Sequence, residues 1–334
     1  MTRRAAAASA SASALLAIGG PSVAGVAAGD AARVEIALPF RPPYDWPRLL
    51  RFLAGRAIPG VETVADGAYL RAIDYRGASG VLSVRRHPTR RCLVATIEGT
   101  AALCADDALA ARLATVFDVR ADPAEIGAHL ARDAWFAPLV AAAPGLRVPG
   151  AWSAFELVVR AIVGQQVSVK AATTIIGRLV QRAGEPLAAP PHPAVGWRFP
   201  EPAALAACDL DRIGMPGKRI AALQGTAHAV STGEAPIDLA AGTADLTQRR
   251  AALLALPGIG PWTVEYIAMR AWRDPDAWPA TDLVLMQSIV ARDPSLDRPS
   301  SQRRRSDAWR PWRAYAAMHL WNEIADRAGG ARGG

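Results

Sequence analysis

Lysine is nearly missing from this chain. Of 38 basic residues only Lys170 and Lys218 are lysines, so amine-based nucleophilic chemistry has two candidate positions. Cysteine is scarce as well: Cys92, Cys104 and Cys208 lie far apart, with no pair at metal-ligand or redox spacing. That pattern argues against zinc, an iron-sulfur cluster and a disulfide framework. No apolar run reaches the roughly 18 residues that a membrane span needs. The N-terminal stretch MTRRAAAASASASALLAIGG places basic residues ahead of an apolar segment, as a secretory leader would, but that segment is mostly Ala and Ser. Residues 1–31 are therefore expected to be a disordered Ala-rich extension, or an open reading frame that starts upstream of the folded protein.

What is present suits a globular protein. At 334 residues the chain has room for two or three domains and a substantial core. Its net charge of +8 makes a polyanionic partner plausible, most often nucleic acid. An Ala- and Arg-rich composition also fits nucleotide bias in a genome, so the charge is permissive and not diagnostic.

From Ala32 the pattern changes. RVEIALPF alternates like a strand, and YDWPRLLRFLAGRAI follows with helical spacing at Trp46, Leu49, Leu50 and Leu53. GVLSVRR and CLVATIEG read as further strands. Residues 32–147 thus form an α+β unit, closed by the Pro/Gly stretch AAAPGLRVPG, which suits a linker or turn. Strand signals then nearly vanish, and residues 148–330 read as helices between Gly and Pro breaks. The last of these is PWRAYAAMHLWNEIADR, with Pro311 in its first turn.

Within the helical part, LPGIGPWTVEYIAMRAW starts with a glycine-punctuated turn and runs into an amphipathic helix. Together with TQRRAALLAL before it, the stretch over about 246–273 makes helix, tight hairpin, helix. Gly258 and Gly260 permit positive φ and close backbone approach, and Ile259 between them would plug the hairpin into the core. Pro261 begins the second helix, whose free N–H groups and positive dipole end suit a phosphate. A plain αα-hairpin would look similar. The Pro-containing loop RDPDAWPATDLVL sharpens the reading, because it delivers Asp282 to a helix start 22 residues after Gly260. Asp282 also suits a helix N-cap, a role that Thr281 could fill instead.

The hairpin, the Pro-rich loop and the Asp at its end resemble the helix-hairpin-helix superfamily of DNA glycosylases. Within it, the chain is similar to the bacterial DNA-3-methyladenine glycosylase II (AlkA-type) family over nearly everything after residue 38: RPPYDWPRLLRFLAGRAIPGVETVADGAY, RAIVGQQVSV, GMPGKRIAAL, the hairpin and RPWRAYAAMHLW. The resemblance implies an N-terminal antiparallel sheet with helices, followed by a mostly α-helical helix-hairpin-helix core. It implies hydrolysis of the N-glycosidic bond of alkylated bases such as 3-methyladenine and 7-methylguanine in double-stranded DNA, by base flipping.

The family match assigns roles by position. Asp282 is the expected catalytic carboxylate, stabilising positive charge on the sugar and orienting or deprotonating water. Phe52, Trp262, Tyr266 and Trp312 are the expected base pocket, suited to a cationic base; by composition alone each would be a core residue. Gly258, Ile259 and Gly260 are expected to grip a phosphate, with Gln165, Gln166, Lys218 and Arg219 as further DNA contacts. Gln166 stands where the family has an apolar wedge, and it equally suits a polar loop. The carbonyls of Leu254, Leu256 and Ile259 are expected to hold a monovalent cation, Na+ or K+; catalysis is expected to need no cofactor. Trp262 occupies the position where strand-cleaving relatives place their lysine, so the enzyme is expected to be monofunctional, without lyase activity. A monomer in the cytoplasm, associated with the nucleoid and not with a membrane, completes the expectation. Arg303, Arg304 and Arg305 suit phosphate or a solvated surface. Two alternatives stay open: a non-catalytic helix-hairpin-helix DNA-binding protein, and a glycosylase for another damaged base.

Overall fold

The computed structural model describes residues 22–28, 31–99, 107–187, 190, 192–235, 237 and 245–330. Cys104 and most of the N-terminal extension lie outside the described residues. Six strands, β1 (Ser22–Ala28), β2 (Ala31–Pro39), β3 (Glu62–Ala65), β4 (Ala68–Tyr75), β5 (Ala78–Arg86) and β6 (Cys92–Gly99), form one antiparallel sheet in the order β1-β2-β6-β5-β4-β3. The alternation in RVEIALPF places Val34, Ile36 and Leu38 on its covered face, where all three are buried. Helices α1 (Trp46–Ala54) and α2 (Asp107–Val116) cover that face with Trp46, Leu49, Leu109 and Leu113. Asp45 starts α1 by accepting the Arg48 N–H at 3.1 Å.

Eleven more helices follow among the described residues: α3 (Pro123–Leu130), α4 (Ala137–Ala142), α5 (Ala154–Val163), α6 (Val169–Ala183), α7 (Pro202–Ala207), α8 (Gly217–Ser231), α9 (Leu246–Leu254), α10 (Pro261–Arg270), α11 (Leu283–Val290), α12 (Pro299–Ser306) and α13 (Arg313–Gly330). The fold is therefore α+β, a sheet-and-helix unit followed by a helical part. No helix among the described residues is long and apolar enough to cross a membrane.

Four readings of the sequence change. Residues 22–28 are not a disordered extension: β1 pairs with β2 from Ser22↔Ala37 to Ala28↔Ala31. The ladder is made by backbone N–H and C=O groups, and the small side chains of SVAGVAA give no apolar alternation to read. The β3–β4 hairpin was also unassigned, although Asp66 and Gly67, with φ of 50° and 72°, make the left-handed two-residue turn that Asp-Gly favours. The stretch AAAPGLRVPG is no solvated linker. Arg147 within it is 2% exposed, and its guanidinium donates to the carbonyls of Arg41, Pro43, Asp118 and Ala121, which stitches the segment into the interior. Ahead of it, Ile126, Leu130 and Phe136 share a core with Leu285, Trp309 and Leu320 from the end of the chain. Finally, Pro311 lies in the turn before α13, and the Trp312 carbonyl accepts the first helical N–H groups.

The sheet and the helical part are joined by a buried ring of charges. Arg71 pairs with Glu62 (3.2 Å) and Glu156 (2.8 Å), and Arg160 pairs with the same two carboxylates (2.6 and 2.7 Å). Tyr69 donates to Glu62 as well. Glu62 and Arg71 come from the sheet, Glu156 and Arg160 from α5.

Candidate active site

The hairpin is built as its glycines demand. Gly258 has φ +82°, and a Cβ there would lie 2.6 Å from the Ala222 Cβ on α8. Ile259 is buried in the core formed by α5 to α10. Gly260 is the N-cap of α10, no side chain caps that helix, and nothing lies within 4 Å of the space beside Gly260. The first-turn N–H groups of α10 thus have no side-chain cap. Gly258→Ala is expected to cost about 1 to 3 kcal/mol of stability through φ strain and the collision with Ala222. Denaturant melts check this, and Gly258→Ala with Ala222→Gly is expected to recover only the collision part.

The contact with Ala222 brings more to the hairpin. Lys218 and Arg219 stand four and three residues before Ala222, one turn away on the same helix face, at the uncapped start of α8. Gln165 donates from Nε2 to the Gly258 carbonyl at 3.0 Å, tying the α5–α6 turn to the hairpin. Gln166, next in that turn, is exposed with φ +59°, a conformation that non-glycine residues seldom adopt. Exposed Val167 and Val169 flank it. The basic run is split: Arg305 pairs with Asp133 and lies over Trp135, while Arg303 and Arg304 are exposed.

Asp282 is the N-cap of α11, where its Oδ1 accepts the Leu285 N–H at 3.0 Å; Thr281 is exposed and does not cap. Two further donors reach the same carboxylate. Trp321 on α13 donates Nε1–H to Oδ1 and Trp262 on α10 donates Nε1–H to Oδ2, both at 3.0 Å. The cap and the site readings of Asp282 are therefore compatible, because capping occupies only one acceptor position. Trp321 escaped the sequence reading although it is the last residue of RPWRAYAAMHLW; nothing in spacing reveals that its indole crosses to another helix.

The aromatic residues gather around this carboxylate. Trp262 and Tyr266, four apart on α10, stack at 5.0 Å with an 11° interplanar angle, and Trp321 meets Tyr266 edge-on at 6.3 Å. Arg270 continues the stripe. It bonds the Tyr266 hydroxyl and lies 5.2 Å over that ring and 4.9 Å over Phe52, while Arg56 lies 3.9 Å over Phe52. Burial pushes the Tyr266 hydroxyl up, but Arg270 and Arg56 outweigh it and hold the phenol below its usual range. Phe52, Trp262, Tyr266 and Asp282 are thus brought together. Trp312 packs edge-on against Tyr315 at 5.8 Å instead of on the Trp262–Tyr266 stack. Leu254 is exposed at the hairpin, and the Leu256 carbonyl accepts the Ile259 N–H at 3.2 Å, which leaves it a free lone pair.

Known proteins share this organisation. The AlkA N-terminal domain matches residues 35–153. DNA-3-methyladenine glycosylase 2 of Escherichia coli is 39% identical over 291 residues, covering 85% of this chain and 95% of that protein. The probable bifunctional transcriptional activator/DNA repair enzyme AlkA of Mycobacterium tuberculosis is 38% identical over 304 residues, covering 89% of this chain and 58% of that longer protein. Among solved structures, the 3-methyladenine DNA-glycosylase from Archaeoglobus fulgidus has the same fold, with a TM-score of 0.72 at 17% identity, over 87% of this chain and 98% of that one.

Proposed function

Because this chain belongs to the AlkA-type DNA-3-methyladenine glycosylase family, we propose that it is a monofunctional glycosylase that frees alkylated bases from duplex DNA, with Asp282 as its catalytic carboxylate. The observation that carries the residue assignment is the Asp282 carboxylate, held by two indole N–H groups beside a stacked aromatic pair.

The chemistry follows from those parts. A target base must leave the helix, and unstacking costs a few kcal/mol that phosphate contacts offset. The open α10 N-terminus at Gly258 to Gly260, with Lys218 and Arg219 alongside, suits phosphates flanking the lesion. The aromatic surface of Phe52, Trp262 and Tyr266 suits the flipped base. As the glycosidic bond breaks, positive charge grows on the sugar, and the Asp282 carboxylate stabilises it while water adds at C1′. Trp262 fills the hairpin position of a lyase lysine, and Lys170 and Lys218 lie on α6 and α8, which supports base release without strand cleavage. The Leu254, Leu256 and Ile259 carbonyls are the groups that would hold a Na+ or K+ ion, whose charge would reinforce the phosphate contact; the Leu256 carbonyl keeps a lone pair for it beside the Ile259 N–H.

The test is release of free 3-methyladenine and 7-methylguanine from methylated duplex. Base release with strand breaks only after alkali is the expected result; breaks without alkali would overturn the monofunctional reading, and no release by folded, DNA-binding protein would leave a binding module. Affinity is expected to fall steeply with salt. Replacing Lys218 and Arg219 by Ala is expected to lower the slope of log Kd against log salt by about two, one per lost phosphate contact, which titrations at several ionic strengths would check.

A further inference from the structure

Asp282, Trp262, Tyr266 and Trp321 form a closed circuit. Trp262 stacks on Tyr266, Trp321 stands edge-on to Tyr266, and the two indoles meet again at the Asp282 carboxylate. We propose that Trp321 is a positioning residue for Asp282, acting with Trp262 as a two-indole clamp that leaves one acceptor position on Oδ2 for the reaction. The inference rests on Asp282 being the catalytic carboxylate.

The counting is simple. A carboxylate offers about four acceptor positions. Oδ1 takes the Leu285 N–H and the Trp321 indole, and Oδ2 takes the Trp262 indole, so the remaining lone pair lies on Oδ2. The three donors come from three helices, α11, α13 and α10, which locks the rotation of the carboxylate that a single cap bond would leave free. Trp321 does this from half-buried surroundings, where it also packs against the core shared by α3, α4, α11 and α13. Tyr266 couples the clamp to the stack: shifting either indole disturbs the ring that both touch. Trp262 accordingly has a second task besides offering a face to a base, and its N–H and its ring can be separated experimentally.

Trp321→Phe keeps an aromatic ring and removes the N–H. The expected result in the full chain is a fall of about tenfold to a hundredfold in the single-turnover rate of base release, the scale at which groups that orient a reacting ligand act. Affinity for duplex carrying a neutral tetrahydrofuran at the lesion site should stay within about twofold, while the preference for a cationic pyrrolidine over that tetrahydrofuran should shrink in step with the rate. A rate within about twofold of wild type, or an equal loss of affinity for both duplexes, would overturn the proposal, the second by reducing Trp321 to a packing residue. Should Trp321→Phe fail to fold, 3-benzothienylalanine at position 321 reproduces the indole outline without its N–H and is read by the same criteria. Asp282→Asn, run in parallel, separates the two levels: full activity there refutes the carboxylate assignment itself, whatever Trp321 does.

Discussion

Asp282→Asn lowers base release by about a thousandfold while DNA affinity stays close to that of wild type. That is the expected result because the carboxylate is asked to act only once charge develops, and loss of one such preorganised electrostatic group costs on the order of 10² to 10³ in rate. The amide is nearly isosteric, and its oxygen still accepts the Leu285 N–H that caps α11. With the amide oxygen at the Oδ1 position, which keeps both the cap and the Trp321 contact, its NH2 group faces the Trp262 indole N–H, so that 3.0 Å contact turns into a donor facing a donor. Single-turnover kinetics with saturating enzyme, alongside thermal melts, distinguish the outcomes. A large rate loss with an unchanged melt supports the catalytic role; an unchanged rate reduces Asp282 to a helix cap.

The second large effect concerns the seam between sheet and helices. Removing Glu156 leaves Arg71 and Arg160 sharing Glu62 alone in the interior, and Glu156→Ala is expected to destabilise the protein by about 3 to 5 kcal/mol. The same ring predicts an acid sensitivity. Burial by itself would raise the Glu156 carboxyl, but the guanidiniums of Arg71 and Arg160 override it and hold the group at about 2, against an ordinary value of 4.5. A depressed carboxylate stabilises the fold fully above its unfolded value, and that contribution is lost as pH falls from about 4.5 to about 2; the difference corresponds to ~3 kcal/mol. Urea melts across this window should show stability dropping with acid in wild type and dropping less in Glu156→Gln. An identical pH slope in both would remove Glu156 from the account.

Much of this molecule is written locally. The alternation of Val34, Ile36 and Leu38 marks a strand, Asp45 and Pro47 start α1, and the glycines at 258 and 260 with Pro261 prescribe a hairpin feeding an open helix start, because each depends on neighbours within a few residues. Trp262 and Tyr266 share a face simply by lying four apart, so half of the stack was legible too. Tertiary structure decided the rest. β1 exists through backbone pairing with β2, which leaves no side-chain pattern to find. Arg147 looked like a linker residue until its two terminal guanidinium nitrogens met four carbonyls, of Arg41 and Pro43 and of Asp118 and Ala121, from two distant segments. Trp321 reaches Asp282 across 39 positions of chain, and Arg270 reaches the Phe52 ring from a helix far along the chain. Residue type and spacing determine which groups a short segment offers. Only the packing of distant helices determines which of those groups share one carboxylate, because a hydrogen bond is set by distance in space and carries no trace in the sequence between its partners.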